Sequence, residues 1–361
     1  MIGLALSGGG SRAIAFHLGC LRALHDRGVL ERVSVLSAVS GGAVVGALYA
    51  YSGSDFDCFD AAVVQLLRGG LQTAIVRNVL SPRLLLKILA TKLVASPAAV
   101  AARVLRAEPP LRRWASRTDG LERALRSLYG NQQVSSVARP NLDVVINACE
   151  LRTGTAFRFG NRRSGSWRFG EITGNSVEVA HAVACSAAYP LLLPPLDRCF
   201  LFERDGARSV ERVVLTDGGV YDNLGLSCLE PGRDERHSLH TYQPEYLICC
   251  DAGQGQWRGN KIPFGFVSST TAAMESVFRK AHDSALKRLH MHRQEGGLAG
   301  FALPYLGQMD DALPERPADL VRREDVVDYP TNFAAMAERD IELLSRRGEQ
   351  LTRVLLAHYC P

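Results

Sequence analysis

The chain has 361 residues, 47% of them hydrophobic, and a formal net charge of +5. That supplies a sizeable core in one large or two medium domains, and no repeat, low-complexity tract or break in composition divides it. So modest a charge, with no recognised motif and no basic-aromatic stripe, gives nucleic-acid binding no support, and nine scattered cysteines without metal-ligand spacing read as small hydrophobes of a reduced compartment.

The chain begins with a strand at Ile2 to Leu6, the glycine run Gly8, Gly9, Gly10, and a helix with apolar positions Ile14, Leu18, Leu21 and Leu24. No basic region precedes an apolar one here, so no signal peptide is expected and the expected location is cytoplasmic. Successive glycine amides at a helix N-terminus suit an anion. A nucleotide phosphate is disfavoured, because no Gly-Lys-Ser/Thr follows; the oxyanion of an acyl-transfer intermediate and a plain tight turn both stay open.

Val33 to Tyr51 reads as a buried strand, a sharp turn at Ser40 and a buried helix. Ala38-Val39-Ser40-Gly41-Gly42 departs from the G-x-S-x-G elbow only at its first position, and Gly41 and Gly42 would keep the space above the hydroxyl open. Val33 to Ser54 is uncharged and long enough to span a bilayer, but its β-branched, serine-containing first half and the Gly41-Gly42 break fit a buried strand and helix instead. No transmembrane helix is expected.

Asp55 to Gln133 is an insertion, with Ser81-Pro82 and Ser96-Pro97 as helix starts. Its basic residues, among them Lys87, Lys92, Arg103 and Arg106, interleave with leucines and valines. An anionic membrane contact and an ordinary cap over the core fit this pattern equally, and a lid that meets lipid would use both.

Leu142 to Cys149 is the next strand, followed by an edge strand at Thr155 to Phe159 and a loop from Asn161 to Gly174. A small-residue helix from Glu178 to Ala188 ends before Pro190. Cys199 to Phe202 and Val213 to Thr216 are strands around a charged loop, Glu203 to Arg212. Asp217-Gly218-Gly219 then presents a carboxylate on a tight turn, which the Asn223 side chain would help to hold. Tyr246 to Cys250 is a buried strand ending at Asp251, whose expected role is loop support. Helices are expected at Val267 to Arg293 and at Thr331 to Arg347, the second stopping before Gly348.

Ser7-Gly8-Gly9-Gly10-Ser11-Arg12, Val39-Ser40-Gly41-Gly42, Asp217-Gly218-Gly219 and Ala184-Cys185-Ser186-Ala187-Ala188-Tyr189-Pro190, in this order, resemble the patatin-like phospholipases, or lipid acyl hydrolases. The matching pieces run from residue 3 to about 225, with Ser7, Ala13 and Ala38 as mild departures. The resemblance implies an α/β fold with a mostly parallel central sheet and helices on both faces. It also implies one catalytic domain over 1–361, with a helical insertion or lid at 55–133 and a C-terminal helical extension at 267–361. Ser40 would be the nucleophile of a Ser-Asp dyad, Asp217 its base, and Gly8, Gly9 and Gly10 the oxyanion hole, supported by Arg12, Gly41, Gly42, Gly218, Gly219 and Asn223. The substrate would be phospholipid or another acyl-ester lipid, with no cofactor or metal, peripheral membrane contact through Lys87, Lys92, Arg103 and Arg106, and an activator as one partner the insertion could require. A carboxylate base needs a raised pKa, so Asp217 should be buried.

An α/β-hydrolase triad of Ser40, Asp251 and His282 or His290 is the rival, and the single strand before the elbow strand argues against it. His282 and His290 are expected to be solvated or packed. A soluble carboxylesterase or acyltransferase with the same serine, and a membrane-binding regulatory protein with a decayed site, are the remaining readings.

Overall fold

The computed structural model of the chain describes residues 1–190, 192–255 and 262–359; Cys360 and the end of the expected C-terminal extension lie outside the described residues. The strands β1 (Ile2–Leu6), β2 (Val33–Val39), β3 (Asp143–Glu150), β4 (Thr155–Gly160), β5 (Ser164–Ser166), β6 (Gly170–Ile172), β7 (Leu196–Arg204), β8 (Ala207–Asp217), β9 (Tyr246–Cys250) and β10 (Gly300–Ala302) form one sheet. Their order is β10-β9-β1-β2-β3-β4-β5-β6-β7-β8, with a further pairing of β3 to β8. The helices in chain order are α1 (Gly10–Asp26), α2 (Gly41–Tyr51), α3 (Phe56–Gly69), α4 (Gln72–Val79), α5 (Pro82–Ala90), α6 (Ser96–Val104), α7 (Arg117–Tyr129), α8 (Val179–Ser186), α9 (Gly219–Asp222), α10 (Phe266–Gln294), α11 (Arg323–Val326) and α12 (Glu338–Tyr359).

From β10 to β3 every pairing is parallel. These strands are apolar on both sides because both faces are covered. Leu4 and Leu6, Leu36 and Ala38, and Val144 and Ile146 enter the larger core with α1, α2, α8 and α12. Alternate residues Ala5, Val35 and Val145 enter a second core with Leu224, Leu226, Ala285 and Leu289 of α10 and the segment before it. The expected α/β architecture, a parallel sheet core with helices on both faces, is the one observed.

Past β3 the sheet is antiparallel, and three local expectations change there. β4 is interior rather than an edge strand, flanked by β3 and β5. The segment expected as a loop, 161–174, contributes β5 and β6, which are too short for a periodic signal. The charged stretch 203–212 is mostly strand: β7 and β8 form a long hairpin that turns at Asp205 and Gly206, whose φ values of 52° and 79° are those of an Asp-Gly hairpin turn. Glu203, Arg204, Asp205 and Arg208 are exposed on this ribbon.

The last helix also differs. Residues 331–337 are not helical, and α12 runs on through Gly348. A Cβ at Gly348 would lie 2.2 Å from the Phe16 carbonyl oxygen, and one at Gly19 would lie 1.7 Å from that of Ser345. Gly348 is therefore the contact point of α12 with α1, not a helix stop. The chain beyond residue 267 also packs into the body, since Arg347 is fully buried and donates to the carbonyls of Leu306, Val321 and Gln308 and to Asp310.

Within the insertion, α5 and α6 are joined by a π-turn (Thr91–Ala95) into one helical run, Pro82–Val104. Read as two helices, neither half is long enough to span a bilayer. Joined, the run has 23 residues with a mean hydropathy of 1.7, long and apolar enough to cross a membrane by length and composition alone. Leu84, Thr91, Ala95 and Ala102 face inward, whereas Leu86, Leu89, Leu93, Val100 and Val104 are exposed. Five of its larger apolar side chains are thus left uncovered.

Candidate active site

β2 ends at Val39, opposite Asn147 of β3. β8 approaches from the other direction and ends at Asp217, opposite Ala148, the next residue along. Since β4 holds the other edge of β3 at both positions, β2 and β8 share one edge and meet end to end. Ser40 follows one strand end and Asp217 is the other, so register alone brings together two residues far apart in sequence.

Ser40 has φ 50° and ψ −118°, a region that costs a non-glycine residue about 1–3 kcal/mol. This is the strained strand-to-helix turn that a nucleophile elbow requires, and Ala38 does not relax it. The hydroxyl-bearing residue is only 7% exposed. Asp217 is 4% exposed, and its Oδ1 accepts the Gly219 amide at 2.7 Å. Burial pushes its carboxyl up to about 7 against the pull of the Gly219 amide and of a hydrogen bond from Ser40. A carboxyl poised there is matched to proton transfer at neutral pH.

Ser186, at the end of α8, ties the two strand ends together. Its Oγ accepts the Ser40 amide at 2.9 Å and its carbonyl accepts the Gly218 amide at 3.2 Å, while the Ala188 carbonyl takes the Asp217 amide at 3.1 Å. The sequence marks this segment as a small-residue helix ending, but a serine that works by receiving main-chain amides leaves no pattern of its own.

The glycine loop departs in one respect from expectation. The Gly8 amide donates to the Asn223 carbonyl at 3.0 Å and is engaged. A Cβ on Gly8 would lie 2.4 Å from Asn223 Oδ1 and 3.3 Å from Ser40 Cβ, so Gly8 is needed for close approach rather than as a donor. The amides of Gly9 and Gly10 have no partner among the described residues. Gly10 adopts φ 60° with the Asn332 carbonyl 2.4 Å from where a Cβ would be, which only glycine tolerates. Neither α1 nor α2 has an acidic residue in its first turn or a side-chain cap. A Cβ on Gly41 would lie 2.3 Å from the Gly10 carbonyl and one on Gly42 2.4 Å from that of Leu6. Gly41 and Gly42 thus let the start of α2 seat against the loop; the space beside them is filled by main chain, not left open. Two uncapped helix N-termini converge there, the setting that favours a developing negative charge.

The other supporting residues act behind the site. Arg12 is buried and donates to the carbonyls of Ala252 and Tyr329 at 3.0 and 2.8 Å, pinning α1 to both segments. A Cβ on Gly218 would lie 2.3 Å from the Asn147 carbonyl. The turn after Asp217 is held by Asp222, which accepts from the amides of Leu224, Gly225 and Ser227, whereas Asn223 contributes its main-chain carbonyl rather than the expected side-chain bonds. Lys87, Lys92, Arg103 and Arg106 are exposed on the 82–106 segment and bond to none of these residues.

His282 is neither solvated nor simply packed. Its Nε2 lies 2.7 Å from Asp251 Oδ2 and its Nδ1 3.5 Å from Asp283, so both ring nitrogens face carboxylates. Asp251 also accepts the Gly253 amide, the loop support expected of it. His290 packs edge-on against Phe301.

The sequence profile of the patatin-like phospholipases matches residues 4–227, which contain every residue of the site from Gly8 to Asn223. The chain belongs to the patatin-like phospholipase family. No curated protein sequence matches it. Among solved structures, human GIVD cytosolic phospholipase A2 superposes with a TM-score of 0.55 at 13% identity, covering 98% of this chain and 58% of that one. The same human enzyme in complex with methyl γ-linolenyl fluorophosphonate gives a TM-score of 0.51 at 14% identity, covering 98% and 57%. VipD from Legionella pneumophila is aligned over 99% of this chain and 67% of its own, with a TM-score of 0.41 at 15% identity. This patatin-like chain thus spans somewhat more than half the length of the human phospholipase chain.

Proposed function

We propose that the protein hydrolyses acyl ester bonds of phospholipid at a membrane surface. The observation that carries the reading is the end-to-end meeting of β2 and β8 on one edge of β3, which sets a strained serine against a buried carboxyl. Ser40 attacks the ester carbonyl as Asp217 takes its proton; the tetrahedral oxyanion is received by the Gly9 and Gly10 amides at the converging helix ends. The alcohol leaves with the proton returned from Asp217, and water, deprotonated by the same carboxylate, releases the fatty acid from Ser40. The retained strain at Ser40 and the raised Asp217 carboxyl speak against a decayed site. The double engagement of His282 by Asp251 and Asp283 speaks against a triad.

Lipid rather than a soluble ester is favoured by the family and by the exposed row Leu86, Leu89, Leu93, Val100 and Val104, accompanied by Lys87, Lys92 and Arg103. A helix that turns its bulky apolar residues outward among cations suits docking on an anionic bilayer. The near-complete burial of Ser40 implies that docking opens the site, with the insertion as lid.

The test is fatty-acid release from mixed phospholipid vesicles, read by mass spectrometry, for the wild type beside Ser40→Ala and Asp217→Asn. Release by the wild type alone is expected, and the product masses name the bond cut. Release by a folded Asp217→Asn protein at a near-normal rate would refute the dyad, and cleavage of soluble esters alone would move the substrate to the carboxylesterase class.

A further inference from the structure

Behind the glycine loop, on the side away from solvent, a ring nitrogen of His17 and the sulfurs of Cys20 and Cys250 lie within 4.8 Å of one another. All three residues are fully buried. His17 and Cys20 sit three residues apart on one face of α1, and Cys250 is the last residue of β9. The cluster has polar atoms that nothing in the fold satisfies well. His17 Nε2 is 3.0 Å from the Ser7 carbonyl, so Nε2 carries the hydrogen and Nδ1 keeps its lone pair. That Nδ1 is buried and has no hydrogen-bond partner among the described residues. Besides its cluster neighbours the Cys20 sulfur meets the Thr352 side chain and, at 3.7 Å, the Gly348 carbonyl.

We propose that His17, Cys20 and Cys250 hold one thiophilic closed-shell metal ion, Zn(II) or Cu(I), as a structural site behind the oxyanion loop. Three arguments carry it. The donor set is the soft one, two thiolates and an imidazole, that selects these ions over hard cations. The ring nitrogen opposite the free lone pair already donates to a main-chain carbonyl, the outer contact that metal-bound histidines make. Metal–sulfur bonds of about 2.3 Å and metal–nitrogen bonds of about 2.0 Å require donors somewhat under 4 Å apart, so the cluster needs only a small contraction.

Charge decides how the site would sit in so apolar a place. A dication bound by both sulfurs would offset the cost of burying their thiolates, which burial alone disfavours. Binding releases the two thiol protons, and two thiolates and Zn(II) sum to zero. Cu(I) accepts the three donors alone. Because all three donors are fully buried, the ion would enter as the chain folds.

The site would bind together the parts that position the oxyanion loop. Ser7 gives its amide to the Cys250 carbonyl at 3.1 Å and its carbonyl to His17, and Ser7 Oγ accepts the Ala252 amide. A bound ion would clamp α1, β9 and the residue before Gly8 at one point.

The experiment is the metal content of full-length protein from cells grown with added zinc and, separately, with added copper, measured by inductively coupled plasma mass spectrometry. About one ion per chain is expected in the wild type, and less than about a tenth in Cys20→Ser/Cys250→Ser. Extended X-ray absorption on the wild type is expected to show two sulfur neighbours and at least one nitrogen, and it decides the matter if the double variant does not fold. Metal below about a tenth of an equivalent in the wild type from both growths overturns the proposal. So does an equal content in a folded double variant, or an absorption spectrum with oxygen and nitrogen neighbours only.

Discussion

Replacing Asp217 by asparagine should stabilise the protein while abolishing its chemistry, and the gain should depend on pH in a defined way. The folded carboxyl sits near 7 against an ordinary value of 3.8. The folded state therefore binds this proton more tightly than the unfolded chain does. The contribution is fully present below about pH 4, is lost as pH rises from there, and is gone above about 7. At about 1.4 kcal/mol per pH unit, that interval corresponds to roughly 4 kcal/mol as an upper bound. Asparagine keeps the shape and an acceptor for the Gly219 amide but carries no charge to bury. Urea unfolding of the wild type and Asp217→Asn between pH 4 and pH 9 should give curves that converge at the acid end and separate by a few kcal/mol at the alkaline end, the variant being the more stable. The wild-type kcat/KM should rise through the same interval, as the base loses its proton. A stability difference that is constant across the range would mean that Asp217 is not the buried, high-pKa base, and would refute the reasoning.

Ser186→Ala leaves the Ser40 amide buried without an acceptor, a loss of about 1–3 kcal/mol at the nucleophile turn; labelling by a fluorophosphonate should slow by one to two orders of magnitude while the circular dichroism spectrum is unchanged. Gly348→Ala should destabilise by about 1–3 kcal/mol, read as a lower urea midpoint, although alanine is the better helix former, because its methyl would meet the Phe16 carbonyl. His282→Gln should leave most of the activity, and complete loss in a folded protein would restore the triad. Exchanging Lys87, Lys92, Arg103 and Arg106 for glutamine should weaken sedimentation with anionic vesicles, each cation contributing up to about 1 kcal/mol before screening, while hydrolysis of a soluble ester is unchanged.

The parallel half of the fold was legible because its strands and helices are buried on both sides and short glycine turns punctuate them: β1, β2, β3, β9 and the glycine loop all fall where the residues place them. The antiparallel half was less so. β5 and β6 are too brief to show a period, and the exposed β7–β8 ribbon carries charges that mimic a loop. Gly348 misled for a related reason. A glycine marks a helix end or a close helix crossing equally well, and only the facing Phe16 carbonyl distinguishes them. At the site, the residues that carry side-chain chemistry, Ser40 and Asp217, stand out in the sequence. The engagement of the Gly8 amide by Asn223 and the bridging by Ser186 do not, because both are made with main-chain atoms contributed by segments remote in sequence.

On the proposed function, the pairing of β8 with β3 also sets when in its synthesis the chain could first act on lipid. The elbow and the glycine loop belong to the first fifty residues, whereas the base arrives only with residue 217 and is held only after the ribbon has folded back onto residue 148. A chain emerging N-terminus first therefore carries Ser40 through the synthesis of the next 177 residues without the proposed base to deprotonate it. An acyl hydrolase of the proposed kind stays silent on the ribosome and in any truncated product that stops short of β8, so its activity is licensed by completion of the sheet.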